Sequence, residues 1–158
     1  MLTARRTAFE QDWYRGKRAE ERILPLLEPF LGALIRIPQE THNFDFEGEF
    51  VWVELKERTC RKDYYDTTVV PYCKIKWAET ADKPCYFVFS FTDGIYWIKY
   101  EKSLFDTYEV VPDFAPHRRS YNKKTPTPHI KIAVEDLKSL GSLPTLNPQS
   151  ASLLRSLP

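Results

Sequence analysis

Cysteine and histidine are too few and too scattered to build a zinc site. The cysteines are Cys60, Cys73 and Cys85, an odd number with no CxxC pair, and the histidines are His42, His117 and His129. Reduced intracellular thiols are the expectation. No apolar run approaches the roughly 18 residues a membrane helix requires, so no membrane span is expected. The N-terminal segment has no apolar core of the secretory type, and Glu10 and Asp12 argue against a transit peptide. The expected location is therefore intracellular, in cytoplasm or nucleus, including the interior of a virus-infected cell. Glycine is also scarce, 5 residues against 12 prolines, which favours defined turns over flexible linkers. Charge of one sign is missing too. A net charge of +1 neither implies nor excludes nucleic acid, because a basic binding face and an acidic metal site cancel in the total.

What the chain does have is enough apolar and aromatic material, 42% and 15% of 158 residues, for one globular domain without disulfides. Trp13, Gly16, Glu20, Ile23, Leu24, Leu27 and Phe30 recur at helical spacing, which predicts a helix over 8–31. Pro25 and Pro29 are expected to kink or divide it. Phe44 to Glu57 reads as a hairpin. Val51, Val53 and Leu55 share one face, while Phe50, Trp52, Glu54 and Lys56 share the other. Arg58 to Asp66 reads as a polar, mobile loop. Thr67 or Thr68 is expected to cap a short helix that runs to about Thr80, with Pro71 in its first turn. YFVFSF (86–91) and IYWIKY (95–100) flank Asp93-Gly94, a hairpin signal. Glu101 to Pro128 reads mostly as loop, Ile130 to Val134 as a last strand and Glu135 to Leu140 as a helical turn. The division expected is a domain over 1–140 and a loosely ordered or partner-docking tail over 141–158.

The second hairpin face carries the chemistry. Glu54 and Lys56 are two apart on a strand, so both side chains leave the same face. If Asp45 lies opposite Glu54, the two carboxylates can share one divalent ion. That register needs the turn at Glu49-Phe50; a turn at Glu47-Gly48 would set Asp45 opposite Phe50. Magnesium takes oxygen ligands, and Asp45, Glu54 and the Leu55 carbonyl supply three. Lys56 is then placed to orient a water or to stabilise charge building on a phosphate. Glu20 lies on the apolar helix stripe, where an unpaired carboxylate is costly. It is read as a ligand of a second ion or of a metal-bound water, with Glu21 as second choice. Gly16, one turn earlier, would let the helix approach the sheet.

These residues resemble the PD-(D/E)XK nuclease superfamily, which includes many restriction enzymes and archaeal-type Holliday junction resolvases. The matching pieces are Gly16-Lys17-Arg18-Ala19-Glu20, Asp45 within FDFEG, and Glu54-Leu55-Lys56 within VWVELKER. Asp66-Thr67-Thr68 followed by Lys74, then YFVFSFTDGIYWIKY and HIKIAVEDL, look like small phage- or virus-type members. Phe44 stands where the motif's name has proline. The resemblance implies a restriction-endonuclease-like α/β fold, a mixed β-sheet flanked by helices in a single domain. It also implies dependence on Mg²⁺ or Mn²⁺ and phosphodiester hydrolysis. Asp45, Glu54, Lys56 and Glu20 would be catalytic; Asp45, Glu54, Leu55 and Glu20 would hold metal.

Lys74, with Lys76 as its rival, is expected to contact phosphate, as are Arg118, Arg119, Lys123 and Lys124. The partners expected are duplex or branched DNA and, for cutting both strands, a second copy of the chain. Each residue also has a plainer reading. Glu54 and Lys56 alone could be a cross-strand pair worth under roughly 1 kcal/mol. Asp45 could cap a turn, and Glu20 could pair with Lys17 or Arg18. Glu47 is an alternative ligand, His117 a surface histidine or proton shuttle, and Phe50, Trp52 and Trp77 core residues. The competing function is a non-catalytic nucleic-acid-binding or assembly subunit that retains the fold, with Ala151 to Leu157 as docking element.

Overall fold

The computed structural model describes residues 8–38, 43–114 and 127–146. The first element is helix α1, Ala8–Leu31. It is not divided. Pro25 and Pro29 both lie on its exposed side, so the carbonyls their rings deprive of a donor, those of Glu21 and Pro25, sit on the solvent side of the helix. The helix stops at Gly32, whose φ of +78° suits glycine, and the Gly32 N–H donates to the Glu28 carbonyl at 2.9 Å.

The chain then forms strands β1 (Leu34–Arg36), β2 (Phe46–Gly48) and β3 (Trp52–Glu57). Gly48 is opposite Val51, joined by a Gly48 N–H to Val51 carbonyl bond of 2.8 Å, so the turn is Glu49-Phe50. This is the register that sets Asp45 level with Glu54, since Phe46 pairs with Val53 and Glu47 with Trp52. A Cβ on Gly48 would lie 2.8 Å from Val51 Cγ1 and 3.1 Å from Leu34 Cδ2, so the close approach of these strands depends on glycine.

After β3, a 3₁₀ turn at Lys62–Tyr64 leads into strand β4, Thr67–Pro71, and then helix α2, Tyr72–Thr80. The expected cap at Thr67 or Thr68 is therefore corrected. The β-branched run Thr67-Thr68-Val69-Val70 pairs as a strand with a later segment, and Pro71 is the residue before the helix. Strands β5 (Cys85–Phe91) and β6 (Gly94–Lys99) form the second hairpin, with Thr92 and Asp93 at its tip and Gly94 paired with Phe91. The stretch read as loop after Glu101 contains α3 (Lys102–Phe105) and β7 (Val110–Phe114). Strand β8 spans Thr127–Ala133. A 3₁₀ turn follows at Val134–Asp136, then β9 (Lys138–Ser139) and a last turn at Leu140–Ser142.

The fold is mixed α/β. A six-stranded sheet has the order β1-β2-β3-β5-β6-β9, and a smaller sheet the order β4-β8-β7. Within the larger sheet only β3 and β5 run parallel, and the crossover between them carries β4 and α2. All seven residues of β5 are buried, because both faces are covered. On one face Ala19, Ile23, Leu27 and Leu31 of α1 pack with Val53, Leu55, Tyr86 and Val88. On the other, Phe87 and Phe89 pack with Ile75 of α2 and with Val70, Ile130 and Ile132 of the smaller sheet.

Three sequence expectations change here. Leu143 is buried in the α1-side core, and Leu146 packs against it and donates its N–H to the Phe30 carbonyl at 2.6 Å. Residues 141–146 thus join the body, and the rest of the expected tail, including Ala151 to Leu157, lies outside the described residues. Trp77, expected in the core, is 44% exposed on α2, and Trp13 is 44% exposed on α1. A Cβ on Gly16 would meet nothing within 4 Å, so that glycine does not serve a close helix–sheet approach.

Candidate functional site

At the C-terminal end of β3 the structure gathers the residues that the sequence singled out. Asp45 is anchored from both sides. Its N–H donates to the Val53 carbonyl at 3.0 Å, and its carbonyl accepts from the Ile37 N–H at 2.9 Å. Its side chain, 7% exposed, accepts a hydrogen bond from the Leu55 N–H at 2.7 Å through Oδ2. Along β3, Trp52 and Arg58 donate their N–H groups to β5 and its flank. Strand alternation therefore turns the Leu55 N–H and carbonyl away from β5, towards Asp45.

Glu54 is 1% exposed. Its Oε1 lies 2.7 Å from Lys56 Nζ and its Oε2 lies 3.1 Å from Lys74 Nζ. Lys74 reaches from α2 and also donates to the Asn43 carbonyl. Two ammonium groups thus neutralise one buried carboxylate, which matches the cost of burying such a charge unpaired. Lys76, the rival position, is exposed and lies over the Tyr72 ring. Glu20 is buried as well, but its cation is Arg36 of β1, with Nε 2.6 Å from Oε2, rather than Lys17 or Arg18. Arg36 is also within 3.7 Å of Glu21, and its Nη2 is buried without a hydrogen-bond partner. Glu47 pairs with Lys83 at 2.7 Å. Trp52 stacks on Phe44, and its indole N–H donates to Asp82 at 3.0 Å.

Burial raises the Asp45 carboxyl to a pKa of about 7, and the neighbouring Glu54 carboxylate pushes the same way. The Leu55 N–H and Lys56 act against this rise, and Glu20 adds to it. Asp45 therefore lies in a field with too little positive charge for its ionised form. No family model, curated protein or solved structure matches this chain.

The donor chemistry at this end of β3 is all oxygen: two buried carboxylates, Asp45 and Glu54, and the Leu55 carbonyl. That set suits a hard divalent cation, and the raised Asp45 pKa marks where added positive charge would be favourable. Among the described residues, however, no three acidic, histidine or cysteine side chains come together as a metal-binding group. Glu54 is paired instead with Lys56 and Lys74, while Asp45 accepts from the Leu55 N–H. Arg118, Arg119, Lys123 and Lys124, together with His117 and His42, lie outside the described residues.

One residue was missed. Arg58 continues the alternation of Glu54 and Lys56 and is half-buried. Its Nε donates to Thr68 Oγ1 at 3.0 Å, its Nη1 to the Glu57 carbonyl at 3.3 Å, and its Nη2 to the Val69 carbonyl. It ties the end of β3 to β4, the strand that leads into the helix bearing Lys74. Burial lowers the pKa of its guanidinium, partly offset by Glu54. The signal was legible, since positions 54, 56 and 58 share one strand face.

Proposed function

We propose that the chain is a metal-dependent nuclease with a restriction-endonuclease-like fold, hydrolysing phosphodiester bonds in DNA. The observation that carries the reading is the register at Glu49-Phe50, which sets Asp45 level with Glu54 and leaves Lys56 on the Glu54 carboxylate. The mixed sheet with a helix on one face and the resemblance to PD-(D/E)XK nucleases support it further. Asp45, Glu54 and the Leu55 carbonyl would hold Mg²⁺ or Mn²⁺. When bound, such an ion activates a water and polarises the phosphate.

The chain's own residues do the rest. Lys56 would face the charge that develops on the phosphate. Lys74 neutralises the second Glu54 oxygen and is near enough to pass to a substrate oxygen. Glu20, through Arg36, fixes the first helix against β1 and adds negative potential at Asp45. A homodimer would present two such sites to a duplex.

The second reading, a binding or assembly subunit without catalysis, draws on the same two lysines. They already satisfy Glu54, and among the described residues no third acidic, histidine or cysteine side chain joins Asp45 and Glu54 in a metal-binding group. Cleavage of labelled single-stranded, duplex and four-way-junction DNA and of RNA, in Mg²⁺, Mn²⁺ or EDTA, separates the two. The nuclease reading expects metal-dependent cutting that falls about 10²–10³-fold in Lys56→Ala with the domain still folded. A folded wild type that cuts nothing but binds DNA supports the second reading.

A further inference from the structure

We infer that the outer face of α1, through Arg15, Arg18 and Arg22, is the track for the sugar-phosphate backbone of the DNA strand leaving the catalytic end of β3. The inference rests on the proposed nuclease reading and names the surface on which that substrate lies. Exposed arginines on a helix are ordinarily a solvated face; three observations set these apart.

The first is spacing. Positions 15, 18 and 22 fall on one side of the helix and span about 10 Å of its axis, a length that covers two or three successive phosphates of one strand. The second is shape. The three arginines, with Tyr14, line a cleft of ≈ 350 Å³ whose floor includes Glu57. Arg22 is oriented within it by a hydrogen bond to Ser90 Oγ at 3.1 Å and by Glu57 at 3.9 Å. Among the described residues that line the cleft, the charged ones are these three arginines and Glu57. Arg18 is exposed and has no ion-pair partner among the described residues, so no described carboxylate competes with a phosphate for it.

The third is position. Glu57 and Ser90 pair at the C-terminal end of the parallel strands β3 and β5, and Glu57 follows Lys56 directly. A strand whose reacting phosphate lies at Lys56 passes over this end of the sheet onto the arginine track. Tyr14, which lines the cleft and is 39% exposed, stands beside the track, where an aromatic face can stack with a base. Guanidinium groups suit such phosphates because each presents a fork of donors to two oxygens.

The test is DNA binding by the full chain in a Lys56→Ala background with Mg²⁺, which prevents cutting. Affinity for a labelled single strand and a labelled duplex is measured across a salt series. The variants are Arg18→Glu, chosen because losing this unpaired side chain does not threaten folding, and the triple change Arg15→Gln, Arg18→Gln, Arg22→Gln. Lys138→Gln, on the far edge strand β9, is the control. The expected result is at least tenfold weaker binding for both α1 variants, with the salt slope of the triple variant reduced by about 2–3, and no change for the control. Binding with the parent's affinity and slope in both α1 variants overturns the track while leaving the nuclease reading intact. Absence of DNA binding by the parent, together with absence of cutting by the wild type, overturns both.

Discussion

The two faces of β3 are made of neighbouring residues and do opposite things. Val53 and Leu55 enter an apolar core against α1. Glu54, Lys56 and Arg58, on the other face, are buried or half-buried yet charged: Lys56 pairs with Glu54 of its own strand, while Lys74 reaches Glu54 and Thr68 and the Val69 carbonyl receive Arg58 from elsewhere in the fold. The first face needs only matching volume. The second needs specific donors and acceptors at hydrogen-bond distance, because a buried charge without them costs several kcal/mol. Stability and chemistry are thus divided between alternate positions of one strand.

Changes on each face test this division. The largest stability effect is expected on the apolar side. Phe46 is fully buried and pairs with Val53, so Phe46→Ala should cost about 3–5 kcal/mol. Chemical denaturation would read this as a lowered midpoint. A loss no larger than that of a surface change would mean the α1 side is not the main core.

Asp45 comes next and depends on pH. Its folded pKa, about 7, lies above the ordinary 3.8. The metal-free protein therefore keeps the stability linked to a protonated Asp45 at acid pH and loses it as pH rises through about 7. The expected loss is about 2–4 kcal/mol. Melting in EDTA from pH 5 to 8 should fall for the wild type and stay flatter for Asp45→Asn, whose amide oxygen can still accept from the Leu55 N–H. If Asp45 holds the ion that the proposed function requires, added Mg²⁺ should raise the wild-type melting temperature more at pH 8 than at pH 6, because the ion would bind the carboxylate form. Parallel pH profiles for wild type and variant would contradict this account of Asp45.

The smallest effect is expected at Lys83, which pairs with a half-exposed Glu47 and lies 4.7 Å from the centre of the Trp52 ring. Lys83→Ala should cost under about 1 kcal/mol and leave any cleavage unchanged. A large loss would show that the charged face is structural well beyond Glu54.

The sequence carried more of the site than of the fold around it. α1, the first hairpin and the β5–β6 pair follow from local periodicity and turn chemistry, which act within a few residues, whereas the sequence left the first hairpin's turn open between Glu49-Phe50 and Glu47-Gly48. Glu54 and Lys56 share a face because strands alternate. The helix expected to run from a cap at Thr67 or Thr68 to about Thr80 starts only at Tyr72, because Thr67–Pro71 pair with β8, some sixty residues away in the chain, and override the local capping pattern. Leu143 and Leu146 looked like tail because nothing local shows that Phe30 and the α1-side core would receive them.

By itself, then, the sequence determined which residues could form a carboxylate–lysine centre and which register that centre would need. Only the tertiary structure decided which cations answer which carboxylates: Arg36 for Glu20, and Lys74 beside Lys56 for Glu54. Local alternation sets the direction of a side chain, whereas the identity of its partner depends on distant segments brought together by burial of the two cores. Whether a buried charge is tolerated depends on that partner.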